Sequence, residues 1–338
     1  MMREPWFWRS SSLTARVIAA SLAPTAGLYD LVQRTVAKPS RPARAPAPVI
    51  CIGAATLGGV GKTPFALMLH DLLKSEGVTA AFLTRGYGGR EAGPLPVNPS
   101  VHDAIDVGDE ALLLAQRGPT WVARDRAAGA NAAAMAGASV LIMDDGYQNR
   151  SIEKTLSILL IDAADPAGNG HVFPAGPLRE PMARAVARAD IVAFVSNEPD
   201  APPAPETQAL AQNKPALRVW LETADAPAPQ KVVAFCGVGA PRRFFDLLES
   251  LGFEVIEKYA FPDHHPYAPA HLERLRRQAA RENAALITTE KDFARLPAHS
   301  RNGVLTLPVI MRADRPDMLR QRVLEAVAAA RRDNGSPQ

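Results

Sequence analysis

The run Val49-Ile50-Cys51-Ile52, followed closely by Gly58-Gly59-Val60-Gly61-Lys62-Thr63, opens the reading of this chain. An apolar strand that ends in a glycine-rich turn and leads through Lys-Thr into a helix-forming run is a phosphate grip. The glycines let backbone N–H groups face an anion, and the start of the helix adds a positive end. In this pattern Lys62 reaches the β- and γ-phosphates of a nucleotide and the Thr63 hydroxyl ligates Mg²⁺. Five residues before Gly61, where the usual pattern has glycine, this chain has Thr56, followed by Leu57. The nucleotide-binding set is therefore Thr56, Leu57, Gly58, Gly59, Val60, Gly61, Lys62 and Thr63, with ATP and Mg²⁺ as cofactors.

Downstream, apolar runs and helix patterns alternate, the signature of a doubly wound α/β domain. Strands are expected at 49–53, 78–84, 120–123, 140–144, 157–162 and 191–196, with helices at 64–76, 110–117, 124–136 and 181–189. Ligands in such sheets sit beyond the carboxyl ends of the strands. There the chain carries Arg85-Gly86-Tyr87-Gly88-Gly89-Arg90, suited to an anionic or sugar-like substrate, and Gly108-Asp109-Glu110. It also carries Asp144-Asp145, following Val140-Leu141-Ile142-Met143. A strand ending in carboxylates is the metal-holding partner of a phosphate loop, because the cation must bridge protein and phosphate oxygens. Gly168-Asn169-Gly170 and Pro174–Pro181 form a further glycine- and proline-rich loop, readable as a rigid connection.

The stretch 198–230, rich in Pro and Ala, reads as a linker with a short strand at 217–221. A second, smaller α/β unit follows over 231–338, with strands at 231–236, 253–261, 285–289 and 304–309 and helices at 241–251, 269–283 and 315–332. Its chemically loaded loop is Phe261-Pro262-Asp263-His264-His265-Pro266-Tyr267. No third metal ligand stands at a recognisable spacing from the two histidines, so an acid–base or orienting role is expected of them.

At 338 residues, 47% apolar and 22% charged, the chain is long enough for two domains. Its two cysteines, Cys51 and Cys236, are far apart in apolar runs and suggest neither a disulfide nor a metal site. A net charge of +3 is too small to call for nucleic acid, but it is uneven: residues 1–44 carry +5 and the remainder −2. That basic segment holds Trp6, Phe7, Trp8 and scattered apolar residues, with an uncharged run of 13 residues, Val17–Tyr29, interrupted by Pro24 and Gly27. A spanning helix needs roughly 20. An amphipathic helix lying in a membrane interface fits best; a helix packed on the domain and a secretory signal are the competing readings. Residues 38–48 read as a linker into the first strand, and 45–197 as the phosphate-loop domain.

The ordered segments Thr56–Pro64 (TLGGVGKTP), Arg85–Gly89 (RGYGG), Gly108–Glu110 (GDE), Asp144–Gln148 (DDGYQ), Gly168–Gly170 (GNG), Pro174–Glu180 (PAGPLRE), Phe261–His264 (FPDH) and Thr288–Asp292 (TTEKD) resemble those of the bacterial tetraacyldisaccharide 4'-kinases, the lipid A 4'-kinases. Asn149 and Thr155 depart from that family's pattern, which usually has His and often an acidic residue at these places.

The resemblance implies phosphoryl transfer from ATP to a sugar hydroxyl of an acylated glucosamine disaccharide phosphate. It further implies a peripheral or monotopic enzyme on the cytoplasmic face of the inner membrane, with no nucleic acid and no obligate protein partner. In that reaction Lys62 holds the terminal phosphates, and Thr63 and Asp144 the metal. Asp145 assists with the metal or orients the nucleophile, and Glu180 is a further metal candidate. Asp109 is taken as the base, with His264 as its partner across the domain cleft, and Arg85, Tyr87 and Arg124 as substrate contacts. Two other classes compete: a soluble sugar or nucleoside kinase, and a membrane-associated switch ATPase, which would carry Lys at the place of Leu57.

Overall fold

The computed structural model describes residues 4–35, 41–196, 198–199, 201–223 and 225–335; parts of the expected N-terminal segment (1–3, 36–40) and of the linker (200, 224) lie outside these. Thirteen strands are described: β1 (Val49–Ala54), β2 (Ala80–Thr84), β3 (Leu95–Pro96), β4 (Thr120–Val122), β5 (Val140–Asp144), β6 (Leu156–Asp162), β7 (Ile191–Ser196), β8 (Ala216–Glu222), β9 (Lys231–Cys236), β10 (Glu254–Ala260), β11 (Ala285–Thr289), β12 (Val304–Leu307) and β13 (Ile310–Ala313). They form a nine-stranded sheet, β13-β8-β7-β6-β1-β5-β2-β4-β3, and a four-stranded parallel sheet, β10-β9-β11-β12.

The larger sheet is parallel except at its edges, where β3 and β13 run antiparallel to their neighbours. Its central strand β1 is buried at every residue. Ile50, Ile52 and Ala54 face one core, with Phe65 and Leu69 of the helix Lys62–Ser75. Val49 and Cys51 face the other, with Leu141, Met143 and Tyr147. This two-sided burial is why the strand reads as a continuous apolar run rather than an alternation. Strand β1 pairs β5 on one side and β6 on the other, with Ile52 opposite Asp144. The glycine-rich turn after β1 therefore emerges level with the acidic end of β5.

Beyond β12 the chain departs from the expected continuous strand at 304–309. It breaks at Pro308, which has no N–H to donate. Residues 310–313 then cross to the larger sheet as β13, pairing β8 from Ile310↔Glu222 to Ala313↔Val219. The last helix, Pro316–Gly335, follows it there, with Leu319, Val323 and Val327 buried in the core that holds Ile50 and Phe65.

At the other end, the turn Trp6–Trp8 leads into a helix, Leu13–Thr35, that continues through Pro24 and Gly27 rather than breaking at them. It docks through Asp30, which accepts from both terminal nitrogens of Arg184 at 2.7 and 3.1 Å, while Leu13, Val17, Leu28, Leu31 and Val32 stay exposed. Among the described residues, no helix is long and apolar enough to cross a membrane.

Candidate active site

Gly61 has φ +95°, a left-handed conformation that favours glycine, and it forms the N-cap of the helix Lys62–Ser75 with no side-chain cap. The first N–H groups of that helix are therefore free to meet an anion. Leu57 through Thr63 line a cavity of about 990 Å³. Thr56 is buried beneath it, in a bridge to Leu178.

The two carboxylates after β5 diverge. Asp144, 1% exposed, accepts a hydrogen bond from the Thr63 hydroxyl at 3.0 Å through Oδ2, and its Oδ1 is buried with no hydrogen-bond partner. Burial, then the charges of Glu110 and Asp145, push its carboxyl well above the usual range. A buried anionic oxygen with no donor, beside a threonine hydroxyl and a phosphate loop, fits the hard oxygen ligands that Mg²⁺ requires.

Asp145 behaves differently. Burial opposes its charge, but Lys62 and Arg179 outweigh this and hold its carboxyl down to about 2. Arg179 grips both its oxygens at 2.8 and 3.0 Å, and Lys62 Nζ lies 3.7 Å away.

Arg179 was not among the expected site residues; its neighbour Glu180 was. The structure places Arg179 on the cavity and Glu180 behind it, with both oxygens of Glu180 accepting from Arg188 at 2.7 Å. The loop 174–181 runs beside the phosphate loop, joined by Leu57 N–H to Pro177 O at 2.7 Å and Arg179 N–H to Ala55 O at 2.6 Å. Arg179 is turned to Asp145 and Glu180 to Arg188, so only Arg179 faces the site. Glu180 is not brought to the Thr63–Asp144 position.

A second residue missed from the sequence is Arg126, 4% exposed and lining the cavity. Burial, then Arg85, brings its guanidinium down to about 10, and its Nε has no partner among the described residues. Arg85, Tyr87 and Arg124 also line the cavity, as does Asn149, whereas Thr155 lies away from it and accepts from Val49 N–H at 3.0 Å.

The smaller sheet closes the cavity from the other side. The turn Gly237-Val238-Gly239 after β9 lies against the phosphate loop, so closely that a Cβ on Gly239 would sit 2.4 Å from Gly59 N. His264, with φ +57° and its N–H donating to Gly237 O, presents Nδ1 to Asp109 Oδ2 at 2.9 Å. Its ring lies 5.3 Å from that of Tyr87.

Asp109 is 3% exposed and does not line the cavity; His264 and Glu110 do. Burial opposes the Asp109 charge, but the hydrogen bond from His264 and the cations Lys291 and Arg295 hold its carboxyl down to about 2. His265 turns the other way, stacking on Phe261 and meeting His271 at 3.1 Å. Among the described residues no group of three His, Cys, Asp or Glu is placed to hold a metal.

The chain is similar to known proteins over nearly its whole length. The family model described as tetraacyldisaccharide-1-P 4'-kinase matches residues 18–328. A tetraacyldisaccharide 4'-kinase from Rhodospirillum centenum is 44% identical over the whole of both chains. One from Methylorubrum extorquens is 47% identical, covering 96% of this chain and 99% of that one. The crystal structure of LpxK from Aquifex aeolicus in complex with ATP superposes with a TM-score of 0.72 at 27% identity, covering 92% of this chain and 99% of that one. A phosphate loop, a buried acidic partner and the ordered motifs around them thus coincide with a match over nearly the whole length, and the chain belongs to the tetraacyldisaccharide-1-P 4'-kinase family.

Proposed function

We propose that this protein transfers the γ-phosphoryl group of ATP to the 4'-hydroxyl of a tetraacylated glucosamine disaccharide 1-phosphate, a late step of lipid A biosynthesis, at the cytoplasmic face of the inner membrane. One observation carries the reading. A single cavity joins the phosphate loop, Asp144 and His264 to Tyr29 and Gln33 of the N-terminal helix, whose apolar residues Leu28, Leu31 and Val32 are exposed. A phosphate site that opens toward an apolar, partly basic helix suits an acceptor with an anionic head and acyl chains.

Phosphoryl transfer is mostly positioning and neutralisation of charge. Lys62 and the helix N-terminus hold the terminal phosphates, with Arg126 and Arg179 adding positive charge. Thr63 and Asp144 hold Mg²⁺, which when bound neutralises phosphate oxygens. Asp145, locked to Arg179, fixes the reach of Lys62.

As the acceptor oxygen bonds to the γ-phosphorus and the bond to the β-phosphate oxygen breaks, the hydroxyl proton must leave. His264 is the member of the Asp109 pair that lines the cavity. It takes the proton at Nε2 while enclosed Asp109 holds Nδ1–H, so Asp109 acts through His264 rather than by touching substrate. Arg85, Tyr87 and Arg124 flank the acceptor, and Trp6 with the exposed apolar face of the N-terminal helix contacts the membrane surface.

The test is transfer of label from γ-phosphate-labelled ATP to a tetraacylated disaccharide 1-phosphate in mixed detergent micelles with Mg²⁺. Labelled lipid is expected from the wild type and at least about 10²-fold less from Asp109→Ala. ATP hydrolysis without lipid labelling would overturn the reading in favour of a soluble acceptor or a switch ATPase.

A further inference from the structure

Arg295 touches both halves of the site and belongs to none of the roles above. It ends the short helix Glu290–Arg295 beyond β11, its side chain is only 6% exposed, and its three nitrogens are all engaged. Nη2 donates to Gly237 O at 2.8 Å and lies 3.0 Å from Asp292 Oδ1; Nη1 donates to His265 O at 3.4 Å. Nε lies 2.8 Å from Asp109 Oδ2, a contact of charges rather than an aligned hydrogen bond.

Asp109 thus receives two groups from the smaller unit at once, His264 Nδ1 and the Arg295 guanidinium. One turn earlier on the same short helix, Lys291 reaches Glu110 at 3.0 Å and Asp263 at 3.5 Å. The acidic start of the helix Asp109–Ala115 therefore meets a basic face of the helix Glu290–Arg295.

We infer that Arg295 is a positioning residue for phosphoryl transfer. Anchored by Gly237 O and Asp292, it fixes the carboxylate of Asp109 so that His264 is held with Nε2 toward the acceptor, and it does so only when the two units are closed. The inference rests on the kinase reading for its consequence in turnover, not for the geometry. A guanidinium is the group suited to this task, because its planar fork spans a carboxylate on one side and a carbonyl on another. A merely structural Arg295 would brace the loop at Gly237 and owe nothing to Asp109.

The decisive experiment is a double-mutant cycle on lipid labelling, with Arg295→Ala, Asp109→Asn and the double variant. Arg295→Ala is expected to lower kcat about 10²-fold, as misplacement of a reacting group does, with the KM for ATP changed less than about twofold. In the Asp109→Asn background the same substitution should cost less than about twofold in kcat, the non-additivity of residues acting as a unit. Arg295→Lys keeps the charge against Asp109 and Asp292 while losing the fork, and should fall between. Full additivity would overturn the inference.

A second readout needs no turnover. The downfield imidazole N–H resonance of His264, identified by its loss in His264→Ala, should shift or broaden in Arg295→Lys. An unchanged resonance would overturn the inference even were the kinase reading to fail, and an inactive wild type with a shifted resonance would overturn that reading alone.

Discussion

The two sheets carry the same local device and use it oppositely. In the larger one, β1 runs through Gly58-Gly59-Val60-Gly61 into the helix Lys62–Ser75; in the smaller one, β9 runs through Gly237-Val238-Gly239 into the helix Pro241–Ser250. Each turn has an aspartate at or just beyond the end of a neighbouring strand. Asp144 leaves Oδ1 without a partner, whereas Asp292 is saturated: Gly237 N–H at 2.9 Å, the Tyr267 hydroxyl at 2.7 Å and the Thr289 hydroxyl at 2.6 Å all donate to it. A strand–turn–helix unit is therefore not a ligand site by itself. It becomes one where an anion is left underbonded beside a lysine, and a structural brace where the anion is fully hydrogen-bonded.

The sharpest way to break this contrast is to neutralise each aspartate. Asp144→Asn is expected to cut kcat about 10²–10³-fold and raise the Mg²⁺ concentration needed, by loss of charge stabilisation, with a melting temperature no lower than wild type. Asp292→Asn should do the reverse, lowering stability by about 2–3 kcal/mol through the loss of charged hydrogen bonds. Kinetics and chemical denaturation of both variants check the pair, and equal stability losses would erase the distinction.

A smaller effect concerns where the two turns meet. Gly239→Val places carbon against the backbone of Gly59, with an added Cβ 2.4 Å from its nitrogen, so the units cannot close fully. ATP binding by calorimetry should change less than about threefold while kcat falls roughly 10²-fold, the cost of about an ångström of misplacement. A parallel loss of ATP affinity would mean that the smaller sheet helps to hold the nucleotide.

The mildest prediction concerns pH. The Asp109 carboxyl is held down to about 2 by His264, Lys291 and Arg295, against the opposing effect of burial. A folded-state value below the unfolded one adds stability that is present above about pH 4 and is lost as pH falls toward 2. The stability difference between wild type and Asp109→Asn should therefore narrow by about 2 kcal/mol over that window. Urea denaturation at pH 5 and at pH 3 should capture about half of it, roughly 1 kcal/mol, and a constant gap would mean that Asp109 is not held by cations of the other unit.

Much of this was readable along the chain because its physics is local. The turn at Gly58–Thr63, Asp144 and Asp145 closing an apolar run, and the loop carrying His264 are each written in a few consecutive residues. The two arginines missed from the sequence fail that condition. Arg179 differs from Glu180 only in which side of the loop it faces, and Arg126 is one arginine among several after β4 until burial distinguishes it. Pro24 and Gly27, read as interruptions, are tolerated in the helix Leu13–Thr35.

The sequence by itself determined the alternation of strands and helices and the phosphate loop, since each follows from backbone preference and apolar periodicity over short windows. Only the tertiary structure decided that 310–335 return to the larger sheet, that Asp109 is enclosed and leaves His264 to line the cavity, and that Arg295 lies 2.8 Å from Asp109. Apolar strands carry no local mark of the partner they will pair with. Ion contacts between distant segments exist only once the packing of both units has set the distance between them.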